Sequence, residues 1–274
     1  METRVITQKQ DLTYLTWAKV RGSSGTAGSF LKAYSDLVSP KTYFKLSNYD
    51  AIRGVVGHES VNEIIVDRLL TKLGIEHLHY QLIHADVLID GHVLDTYVCA
   101  SEDFKARGET KVTLEKYYDA EKNPNETRLD FCIRQGWSRF IWEMLLVDFL
   151  ILNRDRHGAN IEILRNSRLK SYRPAPLFDH GLSLVCRCET ESELNAFDVM
   201  EDRRVQCYIA SQSTRENLNL IPHGALDHIQ PLKETDRTDL FLDLENVLSK
   251  PWLDKIWEMI WKRWCAFEDI YHQK

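Results

Sequence analysis

No run of apolar residues in this 274-residue chain approaches the ~18 positions a helix needs to cross a bilayer, so nothing in it reads as a transmembrane helix. Cysteine is sparse and scattered, at positions 99, 132, 186, 188, 207 and 265. That is the usage expected of reduced thiols in a cytoplasm and not of a disulfide framework. Cys186-x-Cys188 has neither a second pair nor a nearby His to complete a tetrahedral set, so no metal site is expected there. Basic excess is also missing. Lys and Arg number 35 against 41 Asp and Glu, a net charge of −6, which argues against a general nucleic-acid binder. Only local patches remain, around Arg203 and Arg204 and in RNSRLKSYR, and both read best as solvated faces. There is no internal repeat and no low-complexity tract. The first residues, METRVITQKQD, are polar and mixed in charge, unlike a signal peptide. What is present is ordinary for a globular protein: 43% hydrophobic and 28% charged residues, at a length that suits one large core or two lobes sharing a cleft.

Along the chain the first hundred residues alternate strand-like and turn-like segments. YLTWAKV (14–20), SFLKAY (29–34) and KTYFKLS (41–47) read as strands, with a glycine-rich turn, RGSSGTAG, between the first two. ESVNEIIVDRLLTKLGI places Val61, Ile64, Ile65, Leu69, Leu70 and Leu73 on one helical face, and Gly74 ends the helix. YQLIHADVLI and HVLDTYVCA follow as strands joined by Asp90-Gly91, a hairpin signal. From about residue 99 to 112 the pattern turns polar and loses its period, which suggests a lobe boundary. Helical patterns dominate beyond it: RLDFCIRQG, WSRFIWEMLLVDFLIL (137–152), and a closing segment whose Trp252, Ile256, Met259, Ile260, Trp264 and Phe267 form a core stripe. The expected fold is therefore α+β and two-lobed, with a β-rich lobe carrying one helix over 1–100 and a helical lobe over 101–274.

Two stretches of the second lobe concentrate polar chemistry. NRDRHGAN (153–160) follows an apolar helix and precedes an apolar strand-like run; LFDHG (177–181) comes shortly after. Asp155 and Asn160 are spaced D-x-x-x-x-N, and Asp179 stands between Phe178 and a Gly two residues on. Either pattern alone occurs by chance. Together, in this order, they match the parts of phosphoryl transfer, which relies on positioning and charge stabilisation. Asp155 would orient the proton of an attacking hydroxyl, while Asn160 and Asp179 supply oxygen ligands for Mg²⁺, a hard cation. The gap between them has room for a β-hairpin. Arg156 and His157 are read as scaffolding of the loop. In the first lobe Lys45 would contact the α- and β-phosphates of ATP, with Lys32 a weaker alternative. Its acidic partner would be Glu63 or, one turn earlier on the same face, Glu59. Ser23, Ser24, Gly25 and Thr26 of the glycine-rich turn would cradle phosphate through backbone N–H groups. That turn matches neither G-x-G-x-x-G nor the Walker pattern.

ILNRDRHGANIEIL followed by APLFDHGLSL resembles the kinase domain of HipA-like bacterial serine/threonine kinases, toxins of toxin–antitoxin modules, and more distantly the phosphatidylinositol 3- and 4-kinases. SVNEIIVDRLLTKLGI is similar to the first-lobe helix of the HipA-like group, which favours Glu63 over Glu59. The likeness runs from about Trp17 to Asp179 and becomes diffuse in the C-terminal helices. It implies a two-lobed protein-kinase-like fold, dependence on ATP and Mg²⁺, a protein Ser/Thr hydroxyl as acceptor, and autophosphorylation at Ser23 or Ser24. It also implies an antitoxin partner, or a separate protein supplying the extra N-terminal subdomain of longer members, which has no counterpart before the glycine-rich turn. Neither direct nucleic-acid binding nor a membrane is expected. No A-P-E sequence follows Asp179, so activation-loop control of the eukaryotic kind is not indicated. Two other readings stand beside this one: a kinase acting on a lipid or small-molecule hydroxyl, and a nucleotide-binding module without turnover. Acidic residues outnumber the three Arg in CRCETESELNAFDVMEDRRVQC, which weighs against an anionic lipid.

Overall fold

The computed structural model describes residues 4–19, 30–37 and 39–273. The glycine-rich turn, with Ser23, Ser24, Gly25 and Thr26, lies outside them. The first part of the chain is a sheet backed by one helix. Its strands are β1 (Val5–Asp11), β2 (Ala18–Lys19), β3 (Leu31–Ser35) and β4 (Thr42–Leu46). A small β5 (Tyr49–Asp50) and β6 (Gly54–Val55) pair, helix α1 (Glu59–Leu73), β7 (Tyr80–Ile89) and β8 (His92–Glu102) follow. Six of these strands are ordered β1-β7-β8-β4-β3-β2. Every pairing in that sheet is antiparallel except β1 with β7.

Alternation of side chains fixes what each face of this sheet does. Phe44 and Leu46 on β4, Ile83, Ala85, Val87 and Ile89 on β7, and Val98 and Ala100 on β8 enter one small apolar cluster. By the two-residue period, Lys45, Leu82 and Cys99 point to the opposite face, and Leu82 and Cys99 join the main core there, with α1. The hairpin at Asp90-Gly91 has positive φ at both residues, 51° and 83°, the combination a two-residue turn needs to match the strand twist. Gly74 closes α1 in the left-handed region, φ 73°, with its N–H directed back at the last helical carbonyls.

The remainder is mainly helical. A three-stranded sheet, order β12-β11-β9, is formed by β9 (Glu109–Thr113), β11 (Glu162–Asn166) and β12 (Ser171–Pro174). Between them come α2 (Leu114–Glu121), α3 (Arg128–Arg134), α4 (Ser138–Leu150) and β10 (Asp155–Arg156). After them come α5 (Glu191–Ala196), β13 (Gln206–Cys207), α6 (Thr214–Asn217), α7 (Arg237–Leu240) and α8 (Lys250–His272). Helix α4 is buried almost all round and packs on α8, whose Leu253, Ile256, Met259, Ile260, Trp264 and Phe267 enter the main core. Buried Arg263 of α8 donates to the carbonyls of Phe149, Val199 and Glu201, which pins the segment after α5 to the end of α4. Among the described residues no helix is long and apolar enough to cross a membrane.

The α+β class, with strands first and helices after, is what the sequence patterns anticipate. Three local features differ. Strand β1 lies in a stretch read only as polar, because of its residues only Val5 is fully buried and its order comes from the β7 backbone. The strand expected over 14–20 shrinks to Ala18–Lys19, since Leu12 and Leu15 are buried through a turn in which Leu15 N–H meets Leu12 O. The aperiodic 99–112 region holds the end of β8 and all but one residue of β9, which is mostly solvent-facing and paired only with β11.

The N-terminal boundary of α1 carries a pH dependence. His58, the residue before the helix, offers no side-chain cap, and its Nε2 is enclosed without a hydrogen-bond partner. Burial lowers its pKa from 6.5 to about 4. The unfolded chain therefore takes up this proton first, so the contribution is intact above pH 6.5 and is lost as pH falls toward 4. Between pH 7 and pH 5 it amounts to about 2 kcal/mol, readable as a fall in the urea midpoint. His58→Asn, a good capping residue without a titrating ring, is expected to flatten that slope.

Candidate functional site

Lys45 reaches the site because its neighbours on β4 face the other way. On the sheet it lies between Lys32 of β3 and Cys99 of β8, all on one face. Two lysines directly opposite each other repel unless anions compensate them. Here the anions are Glu63 of α1, whose Oε1 is 2.9 Å from Lys45 Nζ, and Asp179, whose carboxylate also bonds Nζ. Burial alone would lower the Lys45 pKa, but the Asp179 and Glu63 carboxylates outweigh it and hold the ammonium above the usual lysine range. The Asp179 carboxyl mirrors this: burial opposes its ionisation, while Lys45 and then Lys32 pull it below the ordinary range.

Glu63, with no exposed surface, also accepts the His180 N–H on Oε2 at 2.9 Å. Glu59 does a different job, since its Oε2 accepts the Asn48 N–H at 3.0 Å. Of the two acids one turn apart, Glu63 is the partner of Lys45. Asp179 has φ 59°, a left-handed conformation costly for a non-glycine residue. It is held there from both sides, as its own N–H donates to the Tyr80 hydroxyl at 3.2 Å and the next N–H to Glu63. Gly181 follows at a position where a larger residue would be tight. A Cβ at that position would lie 3.0 Å from Glu59 Cβ and 3.3 Å from Lys45 Nζ.

Asp155 sits on β10, pinned on both sides. β10 runs parallel to β13, with Gln206 N–H on Arg154 O and Tyr208 N–H on Arg156 O. On its other flank Arg154 N–H meets Leu182 O, and Leu184 N–H meets Ile151 O. The Asp155 Oδ1 atom is enclosed with no hydrogen-bond partner, and His157 Nε2, at 3.6 Å, is too far to provide one. Burial raises its pKa above the usual aspartate range against the pull of His157, and the Asp179 charge raises it further. Asn160 Nδ2 donates to the Asp155 carbonyl at 2.8 Å, which leaves its Oδ1 as the atom able to ligate. A carboxylate from Asp179 and a carboxamide oxygen from Asn160 suit a hard cation such as Mg²⁺.

Arg156, expected as scaffolding of its loop, and residues outside the motifs hold these parts together. Arg156, 1% exposed, bonds Asp148 of α4 through Nε and Nη2, and its Nη1 donates to Phe178 O at 3.2 Å and Asn160 O at 3.4 Å. One guanidinium thus joins the D-x-x-x-x-N loop to the segment entering F-D-x-G. Asn62 donates to the carbonyls of Gly181 and Ser183, tying α1 to the residues after Asp179. Tyr80 and Asn62 were not legible in advance, because each acts across about a hundred residues of sequence, and Asp148, eight residues before Arg156, belongs to no spaced pattern.

No family model matches the chain. It is 26% identical over 121 residues, 44% of its length, to the serine/threonine-protein kinase CtkA of Helicobacter pylori, a match spanning only 36% of that protein. The solved structure of the H. pylori proinflammatory kinase CtkA superposes over 96% of both chains with a TM-score of 0.58 at 17% identity. A chain from the toxin–antitoxin complex of HipA, HipB and operator DNA of Shewanella oneidensis MR-1 gives 15% identity and a TM-score of 0.48, over 93% of this chain and 68% of that one.

The salt bridge at Arg156 makes a stability prediction. Arg156→Met leaves the Asp148 carboxylate buried, with Asn153 Nδ2 its remaining side-chain hydrogen-bond donor among the described residues, and is expected to cost about 3–5 kcal/mol in urea unfolding. Adding Asp148→Leu removes the stranded charge and should recover most of that loss, without restoring the link between the two loops. In fold and in local sequence, then, the chain is similar to a bacterial serine/threonine-protein kinase.

Proposed function

We propose that the chain is an ATP- and Mg²⁺-dependent kinase of the HipA-like type that phosphorylates a serine or threonine hydroxyl of a protein. The observation that carries this reading is Lys45 clasped between Glu63 and Asp179, with the Asp155 carboxyl in the same electrostatic field. A cation held by two carboxylates on one sheet face, with a second lysine directly across at Lys32, is built to receive the negative charge of a polyphosphate. Bound Mg²⁺ would neutralise charge on the transferred phosphoryl group, with Asp179 and Asn160 as its protein ligands. Lys45 fixes the α- and β-phosphates, and Glu63 keeps the ammonium aimed at them. Asp155 accepts a hydrogen bond from the acceptor hydroxyl and orients it for in-line attack. Among the described residues its Oδ1 has no protein hydrogen-bond donor that an acceptor hydroxyl would have to displace. Arg156 holds the Asp155–Asn160 loop against the Phe178–Asp179 segment so that both reach one cleft.

The protein acceptor and an antitoxin-type partner come from the motif resemblance, as does autophosphorylation at Ser23 or Ser24 of the glycine-rich turn. A lipid or small-molecule acceptor would use the same ATP machinery, and the acid-rich segment after Asp179 weighs against an anionic lipid.

Incubation with γ-labelled ATP and Mg²⁺, alone and with cell lysate, followed by mass spectrometry, tests the reading. Label is expected on Ser23 or Ser24 and on a lysate protein. Asp155→Asn should lower the transfer rate by about 10²–10⁴ while nucleotide affinity stays within a few-fold. Unchanged turnover in that variant sinks the role given to Asp155. ATP binding by the unaltered chain with no transfer to any acceptor would point to a module without turnover.

A further inference from the structure

Outside the cleft, at the far end of α1, three side chains converge: Asp67, His77 and His79. Their ligand-capable atoms all lie within 4.8 Å of one another. Asp67 Oδ1 is 2.7 Å from His77 Nε2 and 2.8 Å from His79 Nδ1. The loop reversal at Gly74 produces this, bringing a His-x-His pair back over the last turns of the helix.

We propose that Asp67, His77 and His79 form a binding site for a borderline divalent transition cation, with Zn²⁺ the representative ion. The orientation of His77 is the first argument. Its Nδ1 lies 2.7 Å from the Ile75 carbonyl, which can only accept, so Nδ1 carries the proton of the neutral ring. Nε2 then presents a lone pair to the Asp67 carboxylate at 2.7 Å. Two acceptors at that distance need a positive centre between them, either a further proton or a cation. A histidine whose second nitrogen is fixed on a backbone carbonyl is also the usual arrangement of a metal ligand.

The carboxylate is the second argument. Arg4 Nη1 is 2.7 Å from Asp67 Oδ2 and 2.8 Å from Oδ1. With a cation present, Arg4 keeps Oδ2 and yields Oδ1, the outer hydrogen bond that ligating carboxylates normally have. Two imidazole nitrogens and one carboxylate oxygen select a Zn²⁺-like ion, since Mg²⁺ and Ca²⁺ require oxygen sets. Three protein ligands leave a fourth position for water. Asp67 and His77 are buried while the His79 side chain is 58% exposed, which gives the ion an entry edge.

The site would act as a brace. His77 bridges to Leu177, and Leu78 N–H donates to Leu177 O at 2.8 Å, immediately before Phe178 and Asp179. A cation there would fasten α1 to the strand-like segment that delivers Asp179. The proposal is independent of the kinase reading, because its readout is metal binding.

The test uses the full chain, stripped with a chelator and desalted, then titrated with ZnCl₂ by calorimetry and with CoCl₂ by visible absorption. One equivalent is expected to bind, with a cobalt spectrum of nitrogen and oxygen ligation, and the melting temperature should rise with Zn²⁺ concentration. His79→Ala removes a largely exposed side chain, so the metal-free protein should melt near the unaltered one while affinity falls by about tenfold or more. His77→Gln should weaken binding at least as much. Absence of saturable binding overturns the proposal and leaves a shared proton as the positive centre. Unchanged affinity in His79→Ala, or a thiolate band in the cobalt spectrum, overturns it as well, by moving the ion elsewhere.

Discussion

The carboxylate of Glu63 is the contact on which the arrangement depends. It is fully buried, and a buried carboxylate is tolerated only if its oxygens are paired. One oxygen holds Lys45 on the sheet and the other holds the backbone N–H of His180. Sheet, helix and the segment around Asp179 therefore have to dock together, because separating any of them strands a charge. The rest of α1 follows the same logic. Ser60 N–H bonds Ser47 Oγ, Asn62 bonds the carbonyls of Gly181 and Ser183, and Arg68 bonds those of Leu240 and Leu242. Almost every residue of this helix is buried, so it is an internal spine whose polar side chains reach a different segment at each turn.

Around that spine the charges alternate in sign. Lys32 and Lys45 are paired on adjacent strands, Glu63 and Asp179 compensate them, and Asp155 lies close enough to feel both Asp179 and Lys45. The cluster compensates its own charges as it stands, lysine against carboxylate. Asp179 is one of seven described non-glycine residues with positive φ, and it is the one that lies in this charge cluster. Asp179 remains left-handed because Tyr80, Glu63 and Lys45 all hold it, and Glu59 packs closely against the Gly181 that follows.

Much of this was legible in the residues, and for identifiable reasons. The β7–β8 hairpin is read from two alternating runs around Asp-Gly, and α8 from a thick aromatic stripe, because in each the local period matches the burial. D-x-x-x-x-N and F-D-x-G are short, and their order carries the meaning that neither has alone. β1, by contrast, has a polar sequence that shows no alternation, since an edge strand takes its order from its neighbour's backbone. Spacing alone left Glu59 and Glu63 open, and only the resemblance of the helix favoured Glu63. Both sit on one helical face, and only the packing sends Glu59 to the Asn48 N–H and Glu63 to Lys45.

The sequence by itself determined the α+β order of elements, the identity of Asp155, Asn160, Asp179 and Lys45 as candidates, and the kinase-like family they resemble. These follow from periodicity and fixed spacing, which are properties of neighbouring residues. The tertiary structure alone decided that Lys45 lies between Glu63 and Asp179, that Arg156 and Asp148 bind the two polar loops together, and that Asp67 meets two histidines beyond Gly74. Each of those contacts joins residues from separate elements, and no local rule encodes it. What selects them is the cost of burying a charge or a polar group unpaired, a cost that exists only once the chain has closed around it.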